Sequence, residues 1–151
     1  MQEDFLNIVG VKKLHPDAQL PKRQREGDAA FDIYAIKDTR LHALVPKIVD
    51  CGIALEIPAN YKVLIYGRSG LAMKSIFAHV GTVDPNFKGE IGPILVYYGS
   101  GCDVGNGWYD IKKGDRVGQI VLTPITPTEF TEVANLSDSE RGAEGFGSSG
   151  R

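Results

Sequence analysis

The stretch Tyr61-Lys62-Val63-Leu64-Ile65-Tyr66-Gly67-Arg68-Ser69-Gly70 decides the fold class of this chain. Its first six residues have the aromatic and β-branched bias of a strand, and the glycine that follows marks the end of that strand. The same design recurs along the sequence, where 18 Gly and 8 Pro separate short apolar segments. Turns at this spacing predict an all-β sandwich or barrel with one short helix at Gly70–Ser75.

Further apolar segments extend the strand prediction to most of the chain. No long amphipathic pattern of helical period is present, so a Rossmann fold or a helical bundle is disfavoured. The predicted strands are Phe5–Lys13, Ala30–Ile36, Lys47–Ile57, Tyr61–Tyr66, Ala78–Val83, Ile91–Tyr98, Tyr109–Ile111, Arg116–Thr123 and Glu129–Glu132.

Composition limits the classes of function. The 151 residues are enough for one domain, and the net charge of −2 does not favour a nucleic-acid-binding protein. Cys51 and Cys102 are too few for a disulfide scaffold, and no histidine has metal-ligand spacing. No leader and no apolar run of about 20 residues is seen. We therefore expect a cytoplasmic protein, or one of a host cell's cytoplasm or nucleus, that binds no membrane.

The C-terminal segment differs from the rest in composition. Ser137–Arg151 is rich in glycine and serine and contains a single aromatic residue, Phe146. Such a composition is typical of a flexible tail. We predict a β-domain at 1–136 and a flexible lid segment at 137–151 that becomes ordered on a ligand.

The first candidate for chemistry is Gly67-Arg68-Ser69-Gly70. Small residues let backbone N–H groups approach an anion, and a helix start favours negative charge. Arg68 and Ser69 add donors suited to phosphate. The tetrapeptide alone is also an ordinary turn.

The second candidate is Gly81–Glu90, which we interpret as a hairpin with a polar tip. Asp84 precedes Pro85, and this dipeptide is most often a turn. The alternative is a carboxylate held rigidly at a hairpin mouth, where it can orient water as a general base.

The third candidate is Gly114–Gln119, a turn that leads into a strand. Its internal Asp–Arg pair is more often structural than catalytic, whereas Gln119 on an apolar strand needs a partner and could offer its amide to a ligand. Neither a Gly-x-x-x-x-Gly-Lys-Ser/Thr loop nor a Gly-x-Ser-x-Gly elbow is present.

Together these segments resemble the five ordered motifs of the trimeric dUTPase family, and the resemblance covers nearly the whole chain. The matching stretches are Asp28–Ala35, Gly67–Ala72, Gly81–Glu90, Gly114–Gln119 and Arg141–Gly150. The resemblance implies a distorted β jelly roll that assembles as a homotrimer, with a swapped flexible tail and active sites shared between subunits. It also implies dUTP as the substrate, dUMP and pyrophosphate as products, and Mg²⁺ as the cofactor.

The resemblance further implies residue roles. Asp84 would activate the water that attacks the α-phosphorus, and Asp32 would contact the water shell of a Mg²⁺ held mainly by the triphosphate. Arg141 would reach the phosphates from the tail. The remaining substrate-binding residues implied are Arg68, Ser69, Gly70 and Gln119 at the phosphates, Gly81, Thr82, Val83 and Gly92 around the base, Phe87 on the deoxyribose, and Phe146, Gly147 and Ser148 in the tail.

Four positions depart from the family pattern. Phe87 replaces the usual Tyr, which keeps the stacking face and loses a hydroxyl, and Asn86 replaces a common Asp. Ala30 and Glu144 replace glycines. The loop Gly99–Trp108 also looks longer than usual. Its Trp108 could be a packed anchor or a partner contact, and of the two we expect a packed anchor.

Two other functions are alternatives for this sequence. A dCTP deaminase of the same superfamily needs a Glu on the strand after the hairpin, and Ile91–Tyr98 contains no carboxylate. A non-enzymatic module that kept the fold would show decayed motifs, yet Asp84, Arg68, Gln119 and Arg141 are all present. A regulatory role in addition to catalysis stays open.

Overall fold

The computed structural model describes residues 8–99, 107–140 and 142–143, and it is built almost entirely of strands. Its one helix is a single turn. The elements in chain order are β1 Gly10–Lys13, β2 Phe31–Tyr34, β3 Thr39–His42, β4 Lys47–Ile48, β5 Ile53–Glu56, β6 Tyr61–Tyr66, α1 Ser69–Ala72, β7 Ile76–Ala78, β8 Gly81–Val83, β9 Ile94–Tyr97, β10 Trp108–Ile111 and β11 Arg116–Pro124.

The strands form four antiparallel sheets. The largest has the order β2-β11-β6-β8, the second has the order β4-β9-β7, and two pairs, β1-β5 and β10-β3, complete the set. Isolated bridges such as Ile53–Ile91 and Ala43–Tyr97 connect sheet members to neighbouring segments. The all-β prediction and the single short helix are confirmed, and the arrangement is that of a jelly roll. Within the described residues, no helix has the length and apolar character to cross a membrane.

One apolar core lies between the sheets. Alternate residues of β3, β6 and β9 face inward, as the two-residue period of a strand requires, whereas Ile53–Leu55 of β5 are all buried. The members with almost no exposed surface are Ile33, Leu41, Val49, Ile53, Val63, Ile76, Leu95, Ile111 and Val117. Each comes from a different strand or connection, so the core holds the sheets together and fixes the loops at their ends.

A β-bulge shapes the start of β11. Its register against β2 shifts between Arg116, opposite Tyr34, and Gly118, opposite Ile33. Residues three apart on a regular strand point to opposite faces, but the extra residue brings Arg116 and Gln119 to the same pocket. A Cβ at Gly118 would lie 3.2 Å from both the Pro93 Cβ and the Tyr66 carbonyl oxygen, so a larger residue would require these neighbours to shift by a few tenths of an ångström.

The structure divides two predicted strands. Lys47–Ile57 becomes β4 and β5, because the chain turns at Gly52, whose φ is 67°. Ala78–Val83 becomes β7 and β8, which lie in different sheets. The prediction of a hairpin at Gly81–Glu90 is therefore wrong. The strands on its two sides do not pair with each other, because β8 pairs with β6 and the next strand, β9, pairs with β4 and β7.

Other boundaries also differ from the prediction. The sequence pattern missed β3, and the predicted strand Glu129–Glu132 is absent, since residues 125–140 have no strand assignment and are exposed. The Trp108 side chain is 56% exposed and lies under the Arg40 guanidinium at 4.8 Å, so the expectation of a packed anchor is wrong for this chain taken alone.

Candidate active site

A pocket of about 610 Å³ lies between the start of β2, the end of β6 and the bulge of β11. Three segments far apart in sequence form it: the loop before β2, the turn after β6, and the first residues of β11. Its lining residues are Gln24, Arg25, Asp28, Ala29, Ala30, Asp32, Arg68, Ser69, Arg116 and Gln119. We call it the arginine pocket.

Asp32 is the buried centre of the arginine pocket. Its carboxylate accepts a hydrogen bond from Arg68 Nε at 3.0 Å on Oδ1, and one from Arg116 Nη1 at 3.4 Å on Oδ2. The Asp32 side chain is 9% exposed, so its charge must be paired to be tolerated there. The two guanidinium groups provide that pairing and are thereby fixed at the pocket wall.

The side-chain amide of Gln119 has a hydrogen-bond partner, as expected for a polar residue on an apolar strand. Its Nε2 donates to the carbonyl oxygen of Gly67 at 2.9 Å, and Arg68 Nη1 donates to the carbonyl oxygen of Arg116 at 3.3 Å. These two bonds fasten the turn after β6 to the start of β11. Arg68, Ser69 and Gln119 therefore lie together in one pocket, as the family resemblance implied, whereas Gly70 does not line it.

The loop before β2 contributes Gln24 and Arg25, which were not predicted from the sequence as site residues. Asp28, the first residue of the first family motif, also lines the pocket, and so does Arg116 of β11, whose pairing was expected to be structural. The cluster of cations in Lys22–Arg25 was visible in the sequence. The sequence did not show that this cluster lies opposite Arg68, because that position depends on the bridge between Lys22 and Asp32.

Asp84 lies on a tight turn directly after β8. The backbone N–H of Phe87 donates to the carbonyl oxygen of Asp84 at 3.1 Å, which closes a turn with Pro85 at its second position. The interpretation of Asp84 as a turn residue is confirmed. Its side chain is exposed, and neither Asp84 nor Phe87 lines the arginine pocket. We call residues 84–87 the Asp84 turn.

Two charged side chains anchor the residues around the Asp84 turn. Lys88 Nζ donates to the carbonyl oxygen of Pro85 at 3.0 Å and to Glu56 Oε1 at 2.7 Å. Glu90 Oε1 accepts a hydrogen bond from the backbone N–H of Gly52 at 2.7 Å. The turn is thereby tied to β5 on one side and to the loop before β5 on the other.

The aromatic ring of Phe87 lies against Gly89. A Cβ at Gly89 would be 2.7 Å from a carbon of this ring, and Phe87 is 48% exposed, so one face of the ring stays accessible for stacking. Gly92, in contrast, packs against the backbone, since a Cβ there would be 2.2 Å from the Val49 carbonyl oxygen. Packing therefore explains Gly92, which lies outside the arginine pocket.

The arginine pocket and the Asp84 turn lie at opposite ends of β6. Val83 pairs with Val63 near the start of this strand, whereas Arg68 follows its last residue, Tyr66. At about 3.3 Å per residue, Val63 and Arg68 are roughly 17 Å apart. The groups predicted to act on one phosphate chain are thus separated within a single chain.

β8 is an edge strand of its sheet, because its one neighbour in the order β2-β11-β6-β8 is β6. An edge strand presents backbone N–H and C=O groups on its outer side. Alternate residues of Gly81–Val83 therefore point their N–H and C=O groups away from β6, where no described strand pairs with them, beside the Asp84 turn. Such an edge is suited to hydrogen bonding with a planar base.

No cluster of metal-ligating side chains occurs in the part of the chain that the structure describes. Burial raises the pKa of the Cys51 thiol to about 12, with the Glu90 and Asp50 carboxylates adding to the effect. Cys51 is therefore a structural thiol. Arg141, Phe146, Gly147, Ser148 and Glu144 lie outside the described residues.

The fold and the pocket define an all-β protein with a cationic site suited to a phosphorylated small molecule. A family model described as dUTPase matches residues 16–150. The deoxyuridine 5'-triphosphate nucleotidohydrolase of Picosynechococcus sp. is 38% identical over 141 residues, which cover 91% of this chain and 95% of that relative. The corresponding protein of Nautilia profundicola is 38% identical over 144 residues, covering 93% and 97%.

Solved structures agree with these relatives. The dUTPase of Staphylococcus bacteriophage 80alpha with dUPNHPP matches with a TM-score of 0.87 at 28% identity, covering 97% of this chain and 100% of that one. The chain belongs to the dUTPase family.

Proposed function

We propose that the protein is a homotrimeric dUTP pyrophosphatase that hydrolyses dUTP to dUMP and pyrophosphate. The observation that carries this proposal is the division of the site along β6. A cationic pocket for phosphates lies at one end, and a carboxylate on a fixed turn lies at the other. Relatives that cover nearly the whole chain are deoxyuridine 5'-triphosphate nucleotidohydrolases.

The phosphate chain of dUTP is proposed to lie in the arginine pocket. Arg68 is fixed there by the buried carboxylate of Asp32, so its fork is ordered before the substrate binds. Ser69 adds an exposed hydroxyl beside it, and Gly70 has open space around its Cα. Gln119 holds the backbone of this turn in position through Gly67.

Asp84 is proposed to act as the general base. Its carboxylate takes a proton from water, and the resulting hydroxide oxygen bonds to the α-phosphorus. The bond from that phosphorus to the bridging oxygen breaks, and pyrophosphate leaves with the electron pair. Because Asp84 lies away from the pocket of its own chain, the base that serves one pocket comes from a neighbouring copy.

Mg²⁺ is proposed as the cofactor. Magnesium prefers oxygen ligands, keeps several waters and usually binds through one or two carboxylates plus substrate phosphates. Asp28 and Asp32 both line the arginine pocket, and because both oxygens of Asp32 accept hydrogen bonds from Arg68 and Arg116, Asp32 would contact a hydrated ion brought by the triphosphate only through its water shell. When bound, the ion would neutralise charge on the phosphate oxygens.

The base and the sugar are proposed to bind beside the Asp84 turn. The outer edge of β8, residues Gly81–Val83, would hydrogen-bond the edge of uracil, where the methyl group of thymine would clash. The open face of Phe87 would pack on the deoxyribose and exclude a ribose hydroxyl. The tail residues Arg141 and Phe146 are proposed, from the family resemblance, to close over the phosphates and the base.

Two exposed surfaces support the trimer. Ile48, Phe77 and Ile94 are at least one-third exposed on the β4-β9-β7 sheet. The segment that follows β11 exposes Phe130 at 97% and Leu136 at 88%. Apolar surface of this extent is typical of an interface. The missing strand Glu129–Glu132 is explained if its pairing partner belongs to a neighbouring copy.

The test is hydrolysis of each dNTP and of UTP in the presence of Mg²⁺, with the nucleoside monophosphate measured. We expect dUMP from dUTP and no product from the other nucleotides. Equal cleavage of all of them would indicate an unselective pyrophosphatase. Deamination of dCTP would support the deaminase alternative, although Glu90, the nearest carboxylate, is bonded to the Gly52 backbone.

A further inference from the structure

Arg25 differs from the other two arginines of the arginine pocket. Arg68 and Arg116 both direct their guanidinium groups to the Asp32 carboxylate. Arg25 lines the same pocket, and the ion pairs found within residues 8–99, 107–140 and 142–143 do not include it. Its positive charge is therefore the one in this pocket that Asp32 does not offset.

The backbone of Arg25 is held in place by its own loop. The N–H of Arg25 donates to Asp28 Oδ2 at 2.9 Å, and the N–H of Asp28 donates back to the Arg25 carbonyl oxygen at 3.3 Å. A side chain that accepts from the backbone in this way stabilises a turn. On one side of this turn Gln24 Nε2 donates to the Tyr34 hydroxyl at 3.1 Å. The loop is thus fixed to β2, with Arg25 at the pocket.

Charge balance indicates which part of the substrate needs this residue. Asp32 offsets much of the charge of Arg68 and Arg116, whereas the two outer phosphates of a nucleoside triphosphate carry most of its negative charge. The α-phosphorus must remain within reach of an Asp84 that is not part of this pocket. The outer phosphates are therefore the part that extends among the arginines.

We infer that Arg25 is a substrate-binding residue that contacts the pyrophosphate portion of dUTP, the part that leaves in the reaction. The inference rests on the roles proposed above for Arg68 and Asp84. Arg25 lies before the first family motif, Asp28–Ala35, so the sequence motifs do not assign it a role. Its guanidinium would also stabilise the charge that develops on the leaving pyrophosphate.

The test compares R25Q with R23Q, which removes the same charge from the same loop. Arg23 is a matched control because its guanidinium lies over the Phe31 ring at 4.4 Å and does not line the pocket. Binding of inorganic pyrophosphate and of dUMP is measured by calorimetry on the full chain, and kcat/KM for dUTP is measured at the same ionic strength.

R25Q is expected to weaken pyrophosphate binding and to lower kcat/KM about ten-fold each, the loss of one charge-assisted hydrogen bond to a phosphate. Its affinity for dUMP should stay within about two-fold of the wild type. R25K should fall between R25Q and the wild type in pyrophosphate binding and in kcat/KM, since it keeps the charge and loses the planar guanidinium group. R23Q should match the wild type in all three measurements.

The inference would be overturned by R25Q binding pyrophosphate as tightly as R23Q does, or by dUMP affinity falling as much as pyrophosphate affinity. If R25Q also has a lower Tm than R23Q, R25K decides. Pyrophosphate binding by R25K that lies between that of R25Q and that of R23Q supports the inference, and binding no tighter than that of R25Q overturns it. A wild-type protein that binds pyrophosphate through Arg25 but leaves dUTP intact would refute the proposed function and leave this inference standing.

Discussion

In the arginine pocket, charged side chains hold one another: the buried Asp32 is bonded to Arg68 and Arg116, and each arginine is fixed before any ligand arrives. At the Asp84 turn, the backbone is fixed by Pro85, Lys88 and the Phe87 N–H, while the carboxylate itself is exposed. The pocket is complete within one chain as a phosphate site. The turn is only half of a site, because among the described residues the phosphate-binding groups lie in the arginine pocket, which Asp84 does not line.

The difference indicates what each region contributes. A preorganised cationic pocket provides binding, because its donors need no rearrangement when the phosphates enter. An exposed carboxylate on a rigid turn provides chemistry only when a second surface brings the phosphorus to it. Loss of Asp32, Arg68 or Arg116 should therefore reduce binding and stability together, because these groups are paired with one another, and loss of Asp84 should reduce turnover alone.

The largest effect is expected for Asp84→Asn. The substitution removes the proposed base and keeps the turn, since Asn also favours turns. We expect kcat to fall about 1,000-fold, in the range for general bases, with the affinity for dUPNHPP within about three-fold of the wild type. Single-turnover kinetics and calorimetry with the analogue measure the two quantities. A variant that keeps more than a tenth of the wild-type kcat would show that another group is the base.

The next largest effect is a difference in stability loss between breaking a buried ion pair and breaking an exposed one. Asp32→Ala leaves two arginines unpaired at the pocket wall, and we expect about 3 kcal/mol less stability, at the low end for breaking a buried pair. Glu56→Gln breaks the pair with Lys88 beside the Asp84 turn, where the two side chains are 74% and 50% exposed, and should cost less than about 1 kcal/mol.

Urea unfolding at one fixed protomer concentration measures both variants, because the stability of an oligomer depends on concentration. Equal losses for Asp32→Ala and Glu56→Gln would contradict the distinction between the two regions.

Part of this comparison was predictable from the sequence. The bounds of β6 are as predicted, because a strand that ends just before Gly67 is encoded locally. The Asp84 turn is likewise local, since Asp-Pro sets its own backbone geometry. The grouping of Arg68, Ser69 and Gln119 followed only from the family resemblance, since it depends on the pairing of β6 with β11.

The rest depends on contacts between distant segments. The Asp32–Arg116 pair requires the register shift in β11, and no periodic pattern in the sequence marks such a bulge. The separation of β7 from β8 depends on which sheet edges are free. The strand predicted at Glu129–Glu132 has suitable residues but no partner within the described part of this chain. High strand propensity means that the residues fit well into a sheet, and a strand forms only where a partner strand is available.

A smaller effect tests whether Gly92 belongs to the packing or to the site. Gly92→Ala places a methyl group 2.2 Å from the Val49 carbonyl oxygen, and we expect about 2–3 kcal/mol of destabilisation from overpacking. Gly70→Ala is the matched control, because a Cβ there meets no atom within 4 Å. Thermal unfolding compares the two. If Gly92→Ala is as stable as Gly70→Ala but binds dUMP more weakly, Gly92 belongs to the binding site and not to the packing.

The smallest effect is expected for the thiol of Cys51. This residue precedes Gly52, whose N–H donates to the Glu90 carboxylate. The raised pKa, about 12, means that the folded state disfavours the thiolate. The resulting stability is fully present below the unfolded thiol's pKa of about 8.5 and declines as the pH rises from there toward 12. At pH 8, iodoacetamide should leave the Cys51 peptide unmodified in native protein and modify it in urea. Equal labelling in both conditions would show that the loop anchoring the turn is open.

The most direct test of a site shared between chains is activity after mixing two inactive variants, Asp84→Asn and Arg68→Gln. Each trimer of one variant lacks either the base or the phosphate fork at all its sites. In randomly mixed trimers, about a quarter of the sites combine the intact Asp84 of one chain with the intact Arg68 of another, as symmetry requires. We predict that about a quarter of the wild-type activity returns once native mass spectrometry shows mixed trimers. Mixed trimers that stay inactive would contradict the shared site.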